Sequence, residues 1–187
     1  GLKIATIADL IAYRRRYDNF IHRAIETELN SDFGGEFKLM VYLNTVEYAE
    51  HIALVKGDLS GPEPVLVRVH AINVFDDILG ASGPRSDMLK KSMRIIGEEG
   101  RGIVVLIRDT TTTVVSDMLL RKGEGGEQGM PRRLREYGVG AQILLDLGVR
   151  DMVLLSDTDR SIVGLEGYGL RVVDQRPVTA ADETDMR

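Results

Sequence analysis

The sequence predicts a mixed α/β domain, with a β-rich first part followed by helices packed on a mixed sheet. Three observations predict this class. Apolar and polar residues alternate between residues 36 and 58, which is typical of strands that bury one face. The uninterrupted apolar run Ile103–Ile107 has the length of a strand buried on both faces. Later segments space their apolar residues three and four apart, as amphipathic helices do.

The first part of the chain predicts one helix and then several strands. Thr6 is placed to cap a helix whose apolar residues recur at helical spacing, and residues 31–35 interrupt that pattern. Strands are expected between residues 36 and 58, then a turn-rich loop over 57–64 and a strand over 65–70. The alternating apolar positions of the first strands are Phe37, Leu39, Val41, Leu43, Ile52 and Leu54.

The later part predicts helices around the apolar strand. A helix is expected over 87–97, with Gly100 as a left-handed cap. Residues 110–120 are ambiguous, since β-branched residues open the segment but its apolar residues share one helical face; a helix is preferred. The glycine-rich residues 123–129 predict a linker. The remaining predicted elements are a helix over 132–147 and strands over 152–155 and 170–173.

Composition limits the possible functions. The 187 residues are 43% hydrophobic and 28% charged, which suits one soluble domain with a short appendage. The net charge of -5 argues against general binding to nucleic acid or to an anionic membrane, because both need a basic face. No window approaches the roughly 18 apolar residues of a transmembrane helix. The absence of cysteine excludes disulfides and thiolate metal sites.

Several blocks in a fixed order resemble one enzyme family. The run that opens with Pro64-Val-Leu-Val-Arg-Val-His70 and ends at Asp87 resembles the core motif of GTP cyclohydrolase II, which opens the imidazole ring of GTP in riboflavin biosynthesis. The fold expected from this resemblance is that family's mixed α/β fold. Further similar blocks lie at residues 50–58, 98–103, 137–149 and 162–170, and the chain has the family's Arg-Pro turn at Arg176-Pro177.

The resemblance implies a zinc site whose ligands are missing. The family carries three zinc-binding cysteines in the core motif, and the matching positions here are Asn73, Pro84 and Ser86. An amide oxygen and a hydroxyl are poor ligands for a tightly held zinc, and proline offers no side-chain donor. We therefore expect no metal and no other cofactor.

Other positions implied by the family have also changed. The family's proton-accepting aspartate matches Arg133, and the glutamine that reads guanine matches Leu89. An arginine cannot accept a proton near neutral pH, and leucine has no hydrogen-bonding edge. The family's catalytic arginine is retained as Arg135. We expect little or no GTP ring opening.

A few polar residues remain as candidates for binding a nucleotide or another anion, because arginine makes strong charge-assisted hydrogen bonds to phosphate. The competing interpretation is that these arginines pair with acidic neighbours such as Asp77 and Glu99, and that His70 is a semi-buried structural residue. The pairs Asp76-Asp77 and Asp157-Asp159 could bind Mg²⁺, but solvated turn residues are the preferred interpretation. The candidates are Arg68, His70, Arg108 and Ser156.

The first residues resemble a different enzyme. Residues 1–16 are similar to the C-terminal helix of 3,4-dihydroxy-2-butanone-4-phosphate synthase, which supplies the other branch of the same pathway. We expect residues 1–30 to be that helix plus a helical connector over Tyr17–Asn30. Residues 31–178 are expected to be the GTP cyclohydrolase II-like domain, and residues 179–187 a disordered tail.

Two functions follow from these expectations. In the first, the domain is a non-catalytic structural or regulatory module for the fused synthase. In the second, it binds a nucleotide or catalyses an altered reaction in the inherited cleft. The resemblance also implies a cytoplasmic location and a homodimer, with residues 36–58 as the expected contact surface.

Overall fold

The computed structural model describes residues 20–83, 85–123, 130–157, 165 and 168–179. The predicted helix that Thr6 would cap and the predicted tail after residue 179 lie outside these residues. Within the described residues, the fold is a mixed α/β domain built on a seven-stranded sheet with the strand order β1-β2-β3-β5-β4-β6-β7. The strands are β1 (Ile21–Ser31), β2 (Gly35–Asn44), β3 (Ala49–Lys56), β4 (Val65–Ala71), β5 (Gly102–Ile107), β6 (Asp151–Leu155) and β7 (Arg171–Arg176).

The sheet combines two kinds of pairing. Strands β1, β2 and β3 form an antiparallel meander, and β3 pairs antiparallel with β5. Strands β5, β4, β6 and β7 are mutually parallel, so their carboxyl ends lie at one edge of the sheet. The predicted central strand is confirmed, because every residue of β5 is buried and β5 lies in the middle of the sheet.

The expected helical connector before residue 31 is wrong over residues 21–30, which form most of β1. Ile25 and Leu29 are spaced four apart, which suits one face of a helix but equally one face of a strand. A tight turn at residues 32–34 settles the choice by bringing β1 back along β2, with Leu29 opposite Phe37. Gly34 and Gly35 adopt the positive φ values that this turn needs.

Three helices accompany the sheet in the described residues: α1 (Met88–Glu99), α2 (Val114–Gly123) and α3 (Met130–Asp146). Helix α1 lies on one face, where Met93 and Ile96 pack with Phe37, Leu54 and residues of the central strands. Helix α3 covers the other face through a second apolar cluster. The predicted helix is confirmed, with Met88, Met93, Ile95 and Ile96 buried, as is its left-handed cap at Gly100. Both faces of the central strands are therefore buried from solvent.

Candidate functional site

The carboxyl ends of the parallel strands carry most of the candidate residues. In an open α/β sheet, this edge is where ligands usually bind. Arg68 and His70 project from β4 on the face covered by α1, and Ser156 follows the last residue of β6. All three are buried, with His70 only 2% exposed. The structure thus brings these three predicted residues together.

Arg108 stands apart from this group. It follows β5, its side chain is about half exposed, and its guanidinium lies 3.7 Å from the carboxylate of Glu50. The sequence interpretation that Arg108 pairs with an acidic neighbour is therefore supported, although the neighbour is Glu50. Glu99 instead pairs with Arg176 at 3.1 Å.

Arg68 is a buried cation with incomplete hydrogen bonding. Its Nη1 donates to the carbonyl oxygen of Leu155 at 2.9 Å, and its Nη2 lies 3.4 Å from His70 Nδ1. Its Nε is buried and has no acceptor. Burial and the nearby Arg85 cation lower the pKa of the Arg68 guanidinium, against the raising effect of the Asp157 and Asp77 carboxylates. The expected direct pair of Arg68 with Asp77 or Glu99 is not formed, because His70 takes Asp77.

His70 and Asp77 form the best-defined contact of the site. His70 Nε2 lies 3.0 and 2.9 Å from the two carboxylate oxygens of Asp77, and the Asp77 side chain is 4% exposed. Asp77 also accepts a 2.7 Å bond from the backbone N–H of Asn73. Burial alone would raise the pKa of Asp77, but the bonds from His70 and Asn73 outweigh it and lower that pKa. Asp77 is therefore a buried network residue, and its interpretation as a solvated turn residue is wrong.

The residues at the family's zinc positions do not fit a zinc ion. Asn73 uses both ends of its amide inside its own loop: Oδ1 accepts from Phe75 N–H at 3.0 Å, and Nδ2 donates to Asp76 at 2.7 Å. It thereby caps a short π-helical turn at Val74–Ile78. Ser86 is a weak hydroxyl ligand, and Pro84 lies outside the described residues. Within the described ranges, no three histidine or acidic side chains are grouped so that they could hold a metal.

A cation lies beside this loop. Arg85, between the positions of the second and third family cysteines, places its Nε 3.9 Å from Asp76. Its charge acts on both Arg68 and Asp77. Where the family would hold a metal, this chain places a guanidinium next to a carboxylate.

Two other predicted positions have different outcomes. Leu89 packs against the apolar cluster under α1, so its side chain is part of the hydrophobic packing of the domain. The backbone of Arg135 belongs to α3, but its side chain lies outside the described part of the chain, as does that of Arg133. The catalytic role that the resemblance implies for Arg135 therefore stays a prediction.

Sequence reasoning missed His51. This β3 residue is 1% exposed; its Nδ1 accepts from the backbone N–H of Arg108 at 3.2 Å, and its Nε2 is buried without a partner. Burial, with a smaller effect of the Arg108 cation, lowers the pKa of His51 to about 4. Its place in the alternating run Ala49, His51, Ala53 was a signal for an inward side chain.

The fold and the edge of parallel strands define the class of protein. A sequence profile described as GTP cyclohydrolase II matches residues 22–177, so the chain belongs to the GTP cyclohydrolase II family. It is 38% identical to the riboflavin biosynthesis protein RibBA of Bacillus cytotoxicus and 40% identical to that of Chlorobium phaeovibrioides. These alignments cover 95% of this chain and 47% and 46% of the relatives. The chain thus spans about half the length of the curated relatives that it matches.

A solved structure gives the same picture. The chain is similar to RibBX, a two domain 3,4-dihydroxy-2-butanone 4-phosphate synthase from A. baumannii, with a TM-score of 0.63 and 26% identity. The match covers 91% of this chain and 44% of that one. The domain is accordingly a GTP cyclohydrolase II-like domain related to riboflavin biosynthesis proteins. Within the described residues, no helix combines the length and apolar character needed to cross a membrane.

Proposed function

We propose that this domain does not open the ring of GTP and instead serves a dihydroxybutanone phosphate synthase as a structural or regulatory module in the cytoplasm. One observation carries the proposal. Asn73, at the first family zinc position, uses its whole amide to cap a turn, in a chain without cysteine. Without a metal-bound water, the domain lacks the hydroxide that would attack the purine ring.

Two further observations support the proposal. Leu89, at the guanine-reading position, is packed in the apolar cluster under α1 and offers no hydrogen bond to a base. The similar structure from A. baumannii is a two domain 3,4-dihydroxy-2-butanone 4-phosphate synthase. A domain that keeps its packed core while losing reactive groups is suited to contact or control.

The test compares a synthase joined to this domain with the same synthase after deletion of residues 20–187. The deletion starts at Phe20 because β1 belongs to the domain. We expect the synthase to lose activity or thermal stability, with a coupling of about 1–3 kcal/mol. GTP turnover is measured on the same samples and is expected at background. Unchanged synthase kinetics and melting temperature, or GTP turnover at ordinary enzymatic rates, would contradict the proposal.

A second candidate function is binding of GTP or a phosphate-type ligand, and the buried Arg68 favours it. Its Nε lacks an acceptor, and no carboxylate in the described ranges is hydrogen-bonded to it. A buried cation without a bonded anion is costly, and an anionic ligand could supply the acceptor that Nε lacks. Thermal shift with GTP and with pyrophosphate tests this, because a ligand of the folded state raises the melting temperature. Arg68→Gln should remove the shift, whereas Arg108→Gln, which alters an exposed paired residue, should keep it.

The homodimer also remains a proposal, but its expected surface changes. Strands β2 and β3 have both edges paired inside the sheet, so residues 36–58 offer no free strand edge. Among the described strands, β1 and β7 are the ones that end the sheet. A second copy could pair along either. Light scattering is expected to give twice the 20.7 kDa monomer mass, and a monomer at tens of micromolar would count against it.

A further inference from the structure

We propose that the sheet corner at which the chain enters the domain is a docking surface for the synthase domain. This N-terminal corner is defined by four exposed apolar residues of the β1–β3 meander: Ile25, Leu43, Val46 and Tyr48. The inference rests on the proposed function, because it names the surface through which a synthase would be coupled.

The structure fixes where the preceding polypeptide arrives. The carbonyl oxygen of Phe20 accepts from the backbone N–H of Thr45 at 3.0 Å, in the turn between β2 and β3. The backbone N–H of Phe20 donates to Gln142 of α3 at 3.2 Å. Arg23 then binds the carboxylate of Asp146 through Nε and Nη2 at 3.2 and 2.8 Å. The chain is thus anchored to two elements as it enters, so a domain preceding Phe20 would be tethered at this corner.

The turn between β2 and β3 is held rigidly. The buried side chain of Asn44 accepts hydrogen bonds from the backbone N–H groups of Val46 and Glu47 at 3.0 and 3.2 Å. These bonds constrain the backbone of the turn that carries Val46 and Tyr48. A preorganised surface loses less entropy on binding than a flexible one.

This rigid turn points apolar groups outward. Tyr48 is 86% exposed and Val46 is 57% exposed. Tyr48 also adopts a φ of 49°, a conformation uncommon for a large side chain. Strained backbone of this kind is concentrated at functional positions. Aromatic residues are also enriched among those that dominate binding at protein interfaces.

The adjoining sheet face continues the apolar surface. Ile25 pairs directly with Val41, and Leu43 is two residues further along β2, so all three side chains lie on the face that α1 covers elsewhere. Helix α1 packs at the other end of β2, against Phe37 and the partly buried Leu39. Ile25 and Leu43, which α1 does not cover, are 58% and 36% exposed.

The synthase domain fits this surface better than a second copy does. A domain tethered at Phe20 is present at an effective concentration on the order of millimolar, so a small patch is enough to hold it. Polar groups border the patch, since Glu50 of β3 lies opposite Leu43 in the sheet and pairs with Arg108. An apolar centre with a charged rim is the usual anatomy of a protein interface. Residues 1–16, which resemble the last helix of that synthase, come immediately before this corner.

The absence of cysteine makes a direct test possible, because one introduced thiol reports on one position. Tyr48→Cys and Val46→Cys are prepared separately, in this chain alone and in this chain joined to the synthase. Val173→Cys is the matched control, since Val173 is an exposed apolar residue of β7 at the opposite end of the sheet. The rate of maleimide labelling is measured by mass spectrometry of the peptide that carries the thiol.

We expect the synthase to slow labelling at positions 46 and 48 by about tenfold or more, because a docked interface excludes solvent. Labelling at position 173 should not change. Equal rates at positions 46 and 48 with and without the synthase would overturn the proposal. So would slowing in this chain alone that grows with concentration and accompanies a doubled mass, because the occupant would then be a second copy.

The labelling test is separable from the test of the proposed function. If labelling slows but deletion of residues 20–187 leaves the synthase unchanged, the docking surface exists and the coupling fails. If deletion impairs the synthase but labelling is unaffected, the coupling uses another surface and this inference is wrong. The second variant keeps the result interpretable if one substitution unfolds the domain.

Discussion

His70 at the end of β4 and Asp77 in the following loop form a buried imidazole–carboxylate pair beside the family's first zinc position. Nε2 of His70 lies within 3.0 Å of both oxygens of Asp77, which also accepts from the backbone of Asn73. The loop after β4 is therefore tied to the sheet by hydrogen bonds between side chains and backbone.

Asp77→Asn should destabilise the domain by about 1–3 kcal/mol, because a buried donor then loses its charged acceptor. The free energy of unfolding from urea titration checks this. Asp32→Asn is the control, since Asp32 is an exposed acidic residue in the turn after β1. A loss no larger than that of the control would show that the pair contributes little.

Acid should destabilise the domain through His51. Its pKa is about 4 in the folded chain, against 6.5 for the free group, so the unfolded chain binds a proton that the folded chain does not. The associated stability is full above pH 6.5 and is lost as the pH falls toward 4. Lowering the pH from about 7 to about 5 should cost on the order of 2 kcal/mol through this residue.

His51→Asn isolates this effect, since asparagine can offer an oxygen near the position of Nδ1 but does not titrate. The free energy of unfolding of the variant is measured by urea titration at both pH values. It should no longer show the part of the pH dependence that His51 contributes. His22→Asn, at an exposed histidine of β1, should keep it. A His51→Asn profile that parallels the unsubstituted chain would contradict the assignment.

Gly97→Ala should destabilise the domain even though alanine is the better helix former. Helix propensity alone favours alanine by about 1 kcal/mol. A Cβ at Gly97, however, would lie 2.5 Å from Cα of Gly34, where the turn after β1 crosses the last turn of α1. Backbone overlap of this kind costs about 1–3 kcal/mol, so the clash should win.

The thermal midpoint of Gly97→Ala checks the sign of this effect. Glu98→Ala, in the same turn of α1 but exposed, is the matched control and should be neutral or slightly stabilising. A midpoint for Gly97→Ala above that of the unsubstituted chain would mean that the turn and helix separate easily.

The purified protein should contain far less than one zinc per chain, because thiolates are absent and Asn73 is occupied as a cap. Elemental analysis checks this. The combined substitutions Asn73→Cys, Pro84→Cys and Ser86→Cys restore the family's donors and should raise the zinc content. Zinc near one per chain in the unsubstituted protein, lost on His70→Ala, would refute the expectation.

Local patterns in the sequence predicted those elements that depend on neighbouring residues. The apolar run at Ile103–Ile107 and the helical face from Met88 to Ile96 were predicted correctly, since burial on both faces and burial on one face leave different periodicities. The resemblance predicted the family, and the missing cysteines could be read directly from the core motif.

The errors arose where a contact between two elements, and not the local spacing of apolar residues, decides the structure. A spacing of four residues in β1 suits a helix and a strand equally, and only the pairing of Leu29 with Phe37 selects the strand. Asp77 looks like a solvated turn residue until the fold of the loop places it against His70. The positive charge of Arg85 near Arg68 could not be predicted either, because it depends on where the loop after β4 places Arg85.

By itself, the sequence determined the α/β class, the central strand, the main helices and the loss of thiolate ligands, because each depends on residue type and local period. Tertiary structure alone decided the strand β1, the burial of His51 and Asp77, and the exposure of Tyr48 at the corner where the chain enters. Each of these follows from how the strands pair and from which surfaces the helices and loops cover, and both are set by contacts between elements of the folded chain.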